Sequence, residues 1–229
     1  SEAGRYRGGR WRWPGGGGGG GGVDAIEART LAAVSAGLAA QDRISGWRAA
    51  SRSAKAVRET IRRRHVSAGT FVKSSADPGV DASLLSLYVP YEIVDWDDEI
   101  YQATVARIVD ELATSTGVHR YANDSFYGGG EWILLTAWLG WVYARAGEIG
   151  HAAAILTWIE AQAGQDGDLA EQVPHALLTP DALPTWTERW GPVASPLLWS
   201  HAMYLILADE LSTGSTRSLS EELEGGRRR

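Results

Sequence analysis

From Val23 onward, apolar residues recur three and four positions apart, the period of amphipathic helices rather than strands. Leu31, Val34, Leu38 and Ile44 mark one stripe through roughly residues 26–44, and Ser45-Gly46 breaks it. Residues 47–65 read as a second helix, with Arg48, Arg52, Lys55, Arg58 and Arg62 on one side and Ala54, Val57 and Ile61 opposite. Residues 66–80 read as a loop around the Asp77-Pro78-Gly79 turn, and residues 81–87 as a short helix stopped by Pro90. A helix over 97–113 opens on Asp97 or Asp98 as N-cap and presents Ile100, Thr104, Ile108 and Leu112. Residues 114–130 form a long loop. The next helix, 131–146, is apolar nearly all round, which predicts burial. Helix 148–163 is amphipathic and stops at Gly164. Ser195-Pro196 is read as the cap of a last helix, 196–211.

The fold class is therefore all-α. Buried and amphipathic helices alternate, and long loops between them carry the polar and aromatic residues. Such alternation suits a toroid of helical hairpins whose loops form a pit at one end. Outside residues 23–211 the pattern changes. Residues 1–14 resemble a β-hairpin, with Tyr6, Trp11 and Trp13 alternating with arginines about Gly8-Gly9. Residues 15–22 are consecutive glycines, a linker or a placeholder without side chains to pack. The tail 212–229 is polar and is expected to be disordered.

Composition narrows the chemistry. Net charge is -6, so the basic face of helix 47–65 reads as a solvated outer surface and no nucleic-acid partner is expected. The chain has no cysteine, which removes disulfides and thiol chemistry; this fits a bacterial cytoplasm and leaves secretion open. No uncharged apolar run reaches the ~18 residues of a membrane span, so no membrane partner is expected. The opening residues contain no apolar core of a signal peptide. No His/Asp/Glu cluster has metal-ligand spacing and the glycine run lacks the Lys-Ser/Thr of a phosphate loop, so neither metal nor cofactor is expected. Trp numbers 11 against 2 Phe. Trp adds a broad flat face and an N–H donor, which suits stacking on sugar rings as well as filling a core.

The candidate chemistry centres on the loop Gly167-Asp168-Leu169-Ala170-Glu171-Gln172, a carboxylate and carboxamide between tryptophan-rich segments. Three groups of residues carry a resemblance. They are His119-Arg120-Tyr121 with Asp124, Tyr127 and Gly130-Glu131-Trp132; the Gly167–Gln172 loop; and Pro196-Leu197-Leu198-Trp199-Ser200-His201-Ala202. In this order and spacing, over about residues 28–211, they resemble glycoside hydrolase family 15, the glucoamylase, glucodextranase and isomaltose glucohydrolase group. The resemblance implies an (α/α)6 barrel and inverting, exo-acting hydrolysis that releases glucose from the non-reducing end of an α-glucoside or small oligosaccharide. Inversion needs two carboxyl groups about 6.5–9.5 Å apart, one protonating the leaving oxygen and one activating water. By resemblance Glu171 is the base, while Arg120, Tyr121, Glu131, Trp132, Gln172 and Trp199 bind or frame the sugar. The family's acid lies in a Trp-Glu motif before the Thr30-Leu31-Ala32-Ala33 helix start; here that place holds the glycine run, and Glu27, after Ile26, is the nearest carboxylate. Six or seven helices are legible where the barrel needs twelve, so about half of it is present. That implies self-association or a complementary half-barrel chain, or else a non-catalytic fragment.

Overall fold

The structure, a computed structural model, describes residues 26–226, with side chains as far as Thr213. The hairpin expected over 1–14 and the glycine run 15–22 lie outside the described residues. The main elements are α1 (Ala28–Ser45), α2 (Arg48–Arg64), the strands β1 (Val66–Ser67) and β2 (Thr70–Phe71), a 3-10 helix Ala82–Leu87, and α3 (Glu99–Leu112). They continue with β3 (Glu131–Trp132), α4 (Ile133–Arg145), α5 (Ile149–Ala161), β4 (Gln172–Val173), α6 (Ala182–Trp190) and α7 (Leu198–Gly226).

Local chemistry sets the boundaries. Gly46, at φ 68°, ends α1 by donating its N–H to Asp42 O, a left-handed cap that a residue without Cβ adopts at little cost. The Asp98 carboxylate opens α3 by accepting from Tyr101 N at 3.1 Å. Helix α4 buries ten of its residues, among them Trp138 and Leu139, as its all-round apolar sequence requires. It packs on α5, α7 and the Ala82–Leu87 helix, and that helix also meets α1 and α3. Two layers result. The inner row is α1, Ala82–Leu87, α4 and α7; α2, α3 and α5 lie outside it. Gly140 lets the layers close, because a Cβ there would stand 2.7 Å from Leu207 and 2.9 Å from Ile155.

The structure differs from the sequence pattern at three places, and two of the differences have a physical cause. α6 lies in a stretch read as loop. Its Pro184 sits in the first turn, where a missing N–H costs nothing. α7 begins at Leu198, not Pro196, because the Leu197 N–H is spent on Leu169 O at 2.8 Å. It then runs to Gly226, through residues 212–226 that were read as disordered tail. Among the described residues no helix is long and apolar enough to cross a membrane.

The inner helices point their N-terminal ends the same way. There the chain ahead of each meets its neighbours: Ala28 N donates to Lys73 O, Ala82 N to Arg120 O, Ile133 N to Glu171 O and Leu197 N to Leu169 O. The loops rich in chemistry are therefore stitched to one another across that end.

Candidate active site

The loop bearing Glu171 is held from both sides. Toward α7, Leu169 N donates to His201 Nε2 at 3.1 Å and Ser200 Oγ to Ala170 O at 2.7 Å. Glu171 N donates to Ala194 O at 2.9 Å. Toward α4, Glu171 O accepts from Ile133 N at 3.2 Å, and Gln172 pairs with Trp132 in the β3–β4 ladder. Every backbone direction open to Glu171 is fixed, while its side chain stays half-buried. A carboxylate that faces solvent from a rigid frame can hold one water in one place.

Gln172 is buried and spent on structure. Its Oε1 accepts from Gly130 N at 2.8 Å and its Nε2 donates to Phe126 O at 3.0 Å. The turn it braces is crowded: a Cβ on Gly129 (φ +67°) would stand 2.1 Å from Asp124 O, and one on Gly130 2.2 Å from Val173 O. Only glycine fits, so the Gly128-Gly129-Gly130 run exists to pass β3 close beneath the Asp124 loop.

Asp124 is the hub of this end and is 0% exposed. Its Oδ2 accepts from Arg120 Nε at 3.0 Å and Trp132 Nε1 at 3.2 Å; its Oδ1 accepts from Arg120 Nη2 at 2.6 Å and Phe126 N at 3.0 Å. The guanidinium so held lies among three rings, 4.6 Å from Trp132, 4.8 Å from Tyr121 and 5.4 Å from Phe126. Its Nη2 also donates to Tyr121 Oη at 3.2 Å. Burial works against the Arg120 charge, but the hydrogen bonds and charge of Asp124 outweigh it and hold the group above its ordinary value. A second cation also meets Tyr121: Lys73 Nζ is 4.0 Å from the ring and 3.5 Å from Asp81 Oδ2.

These charges reach Glu171. Burial pushes its carboxyl above the usual range; Arg120 pulls it down and Asp124 pushes it up. The fold thus brings Glu171, Arg120, Tyr121 and Trp132 together. Glu131 and Trp199 sit differently. Glu131 is 0% exposed, and its Oε1 serves the preceding turn, accepting from Thr114 Oγ1, from Thr116 Oγ1 at 2.7 Å and from Gly117 N at 3.2 Å. Among the described residues its Oε2 has only His175 Nδ1 nearby, at 3.5 Å. Glu131 therefore anchors the turn ahead of β3 rather than joining the Arg120 cluster. Trp199 is 43% exposed, packs edge-on to Trp138 and has Arg29 Cζ 5.3 Å from its ring. Glu27 directly precedes α1 and is bridged through its backbone to Ser74, with no side-chain capping bond. The hub role of Asp124 is the feature that sequence reading underrates. Its one signal is the Arg-x-x-x-Asp spacing, which equally fits a surface pair.

No protein-family profile matches the chain. It is 47% identical over 207 residues to the isomaltose glucohydrolase of Kribbella flavida, covering 88% of this chain and 54% of that protein. A solved glycosidase variant in complex with glucose is 44% identical, with a TM-score of 0.79 over 84% of this chain and 53% of that one. A bacterial glucoamylase complexed with acarbose is 22% identical and shares the fold, with a TM-score of 0.66 over 82% of this chain and 34% of that one. The chain thus spans about half the length of the isomaltose glucohydrolase and of the solved glycosidase, and about a third of the glucoamylase.

Proposed function

Because the chain belongs to glycoside hydrolase family 15, the glucoamylase and isomaltose glucohydrolase group, we propose that it carries the water-activating half of an inverting α-glucosidase site. Glu171 is the general base. It takes a proton from a water that attacks the anomeric carbon on the face opposite the leaving oxygen, releasing β-glucose from the non-reducing end. Arg120 and Tyr121 grip hydroxyls of that glucose, and Trp132 lies behind them. The observation that carries this reading is a half-buried carboxylate on a loop fixed from both sides, beside a guanidinium locked by Asp124. Burial makes Glu171 a stronger base than a free glutamate, which favours proton abstraction. The substrate class is isomaltose- or maltooligosaccharide-type; the name of the isomaltose glucohydrolase relative supports the isomaltose part of it.

A second reading has its own support. The chain spans about half of its relatives, and the two ends of the inner helical row expose Val34 (48%), Leu198 (84%) and Leu205 (63%). On that reading the general acid belongs to a complementary half, and this chain alone cannot protonate a glycosidic oxygen. On the first reading Glu27 is that acid.

Fluoride needs no proton to leave, so α-glucosyl fluoride tests the base without the acid. The proposal expects hydrolysis of the fluoride with release of β-glucose, and a loss of ~10²-fold or more in Glu171→Gln. Near-full activity in that variant would remove Glu171 as base. If the unmodified chain cleaves isomaltose, and Glu27→Gln loses isomaltose but keeps fluoride cleavage, Glu27 is the acid. If the chain cleaves fluoride alone, the second reading stands.

A further inference from the structure

The Arg120–Asp124 pair poses an electrostatic problem for a base next door. A guanidinium that grips sugar hydroxyls beside Glu171 stabilises the ionised carboxylate and so weakens it as a base. Nothing in sugar binding requires that cation to be neutralised. Yet Asp124 meets it with a two-pronged contact at 3.0 and 2.6 Å and is itself fully buried. Each Asp124 oxygen accepts two donors, so the carboxylate is satisfied as an anion and cannot rotate. Two of those donors, Phe126 N and Trp132 Nε1, belong to the walls of the same pocket.

We infer that Asp124 is a positioning and charge-balancing residue for the reaction: it fixes the plane of the Arg120 guanidinium against Trp132 and offsets part of its charge where Glu171 stands. This rests on Glu171 being the base. Arg120 can then donate hydrogen bonds to a neutral sugar while acidifying the neighbouring carboxylate less than an unpaired guanidinium would. The same contact sets the rotamer of Trp132 through its indole N–H, so one carboxylate aligns donor, wall and base.

The surrounding charges provide less of this balance. Asp81 also favours the Arg120 charge, but as the smallest of its causes, and it is itself paired with Lys73, whose ammonium sits over Tyr121. From α7, His201 faces the loop through Nε2, which accepts from Leu169 N and so carries no proton. His119 is turned away, with Nδ1 3.2 Å from Gly130 O. Asp124 is the group that both touches Arg120 and acts on Glu171.

The test reads the Glu171 carboxyl directly, by its carbon-13 chemical shift against pH, and needs no turnover. Asp124→Asn keeps the shape and removes the charge. The expected result is a Glu171 midpoint displaced to lower pH, because Arg120 then acts unopposed. Arg120→Gln should displace it to higher pH, and Arg120→Gln/Asp124→Asn should lie below Arg120→Gln. That last comparison serves if the single Asp124 variant does not fold, since removing both partners leaves no orphaned charge. With fluoride as substrate, Asp124→Asn should lower kcat/KM at least tenfold and move its acid limb to lower pH. An unmoved midpoint across Arg120→Gln and the double variant would overturn the inference, whatever happened to stability. Failure of the base assignment would look different. Glu171 would titrate as described here while Glu171→Gln kept its activity.

Discussion

A carboxyl group raised by burial leaves its mark on stability as well as on rate. The unfolded chain binds the Glu171 proton with ordinary affinity; the folded chain binds it more tightly. The stability this contributes is complete below the ordinary carboxylate range and is lost as pH rises through the raised folded value. At about pH 7 the folded protein therefore bears an ionised, partly desolvated carboxylate. Glu171→Gln should raise Tm at about pH 7 and leave it nearly unchanged at about pH 3.5, while removing hydrolysis. A Tm gain of equal size at both pH values would show that packing, not ionisation, is responsible. The acid limb of kcat/KM should for the same reason lie above that of a free glutamate, and Arg120→Gln should shift it further up, because Arg120 opposes the rise. A limb that stays put in Arg120→Gln would exclude electrostatic contact between the two. At this scale the sequence was legible for identity and poor for roles. Glu171, Arg120, Tyr121 and Trp132, which the sequence singled out, stand together in the fold. Gln172 and Glu131 are equally polar in the sequence, but the fold spends Gln172 on Gly130 N and Phe126 O, and Glu131 on two threonine hydroxyls and Gly117 N. Which polar side chain faces a pocket and which braces it depends on partners more than ten residues away.

Elements turn these residues into a frame, and glycines show where the frame is tight. β3 runs beneath the Asp124 loop only because Gly129 has no Cβ and takes φ +67°. Gly129→Ala should cost about 1–3 kcal/mol from the backbone conformation, with the clash against Asp124 O added. It should therefore lower Tm and also weaken the Arg120–Asp124 geometry. Retention of wild-type Tm and activity would mean that the turn re-forms without cost. Gly140→Leu tests the other end of α4, where overpacking against Leu207 and Ile155 should cost about 1–3 kcal/mol with the fluoride KM unchanged. A changed KM there would show that the α4 packing reaches the sugar pocket. Long periodic helices were readable because periodicity survives any packing. α6 was not, because nine residues containing Pro184 carry little periodic signal. The start of α7 was missed because Leu197 spends its N–H on Leu169, a tertiary contact invisible in local sequence.

At the scale of the whole molecule, the alternation of buried and amphipathic helices announced two layers, and the chain builds them. What local pattern does not announce is where the inner row lacks a neighbour. Its terminal members, α1 and α7, keep large side chains in water: Val34 at 48% and Ile44 at 84%, and Leu198, Leu205 and Ile206 at 84%, 63% and 37%. Leu198, Leu205 and Ile206 fall seven and eight residues apart, so they share one stripe of α7. A stripe of this kind on the inner row, in a chain that spans about half of its relatives, is the seam along which further barrel helices would pack. Exposed apolar area favours association at roughly 25 cal/mol per Å² removed from water. Without those helices, the 24.7 kDa chain should associate with itself in a concentration-dependent way, measured by light scattering. Leu205→Ser/Ile206→Ser should reduce the associated mass and leave the Glu171 titration unmoved, because the seam and the Asp124 hub share no contact. A chain that stays at 24.7 kDa across the concentration range would rule out self-association along α7. If instead the seam variant perturbed Glu171, the site would depend on what α7 packs against.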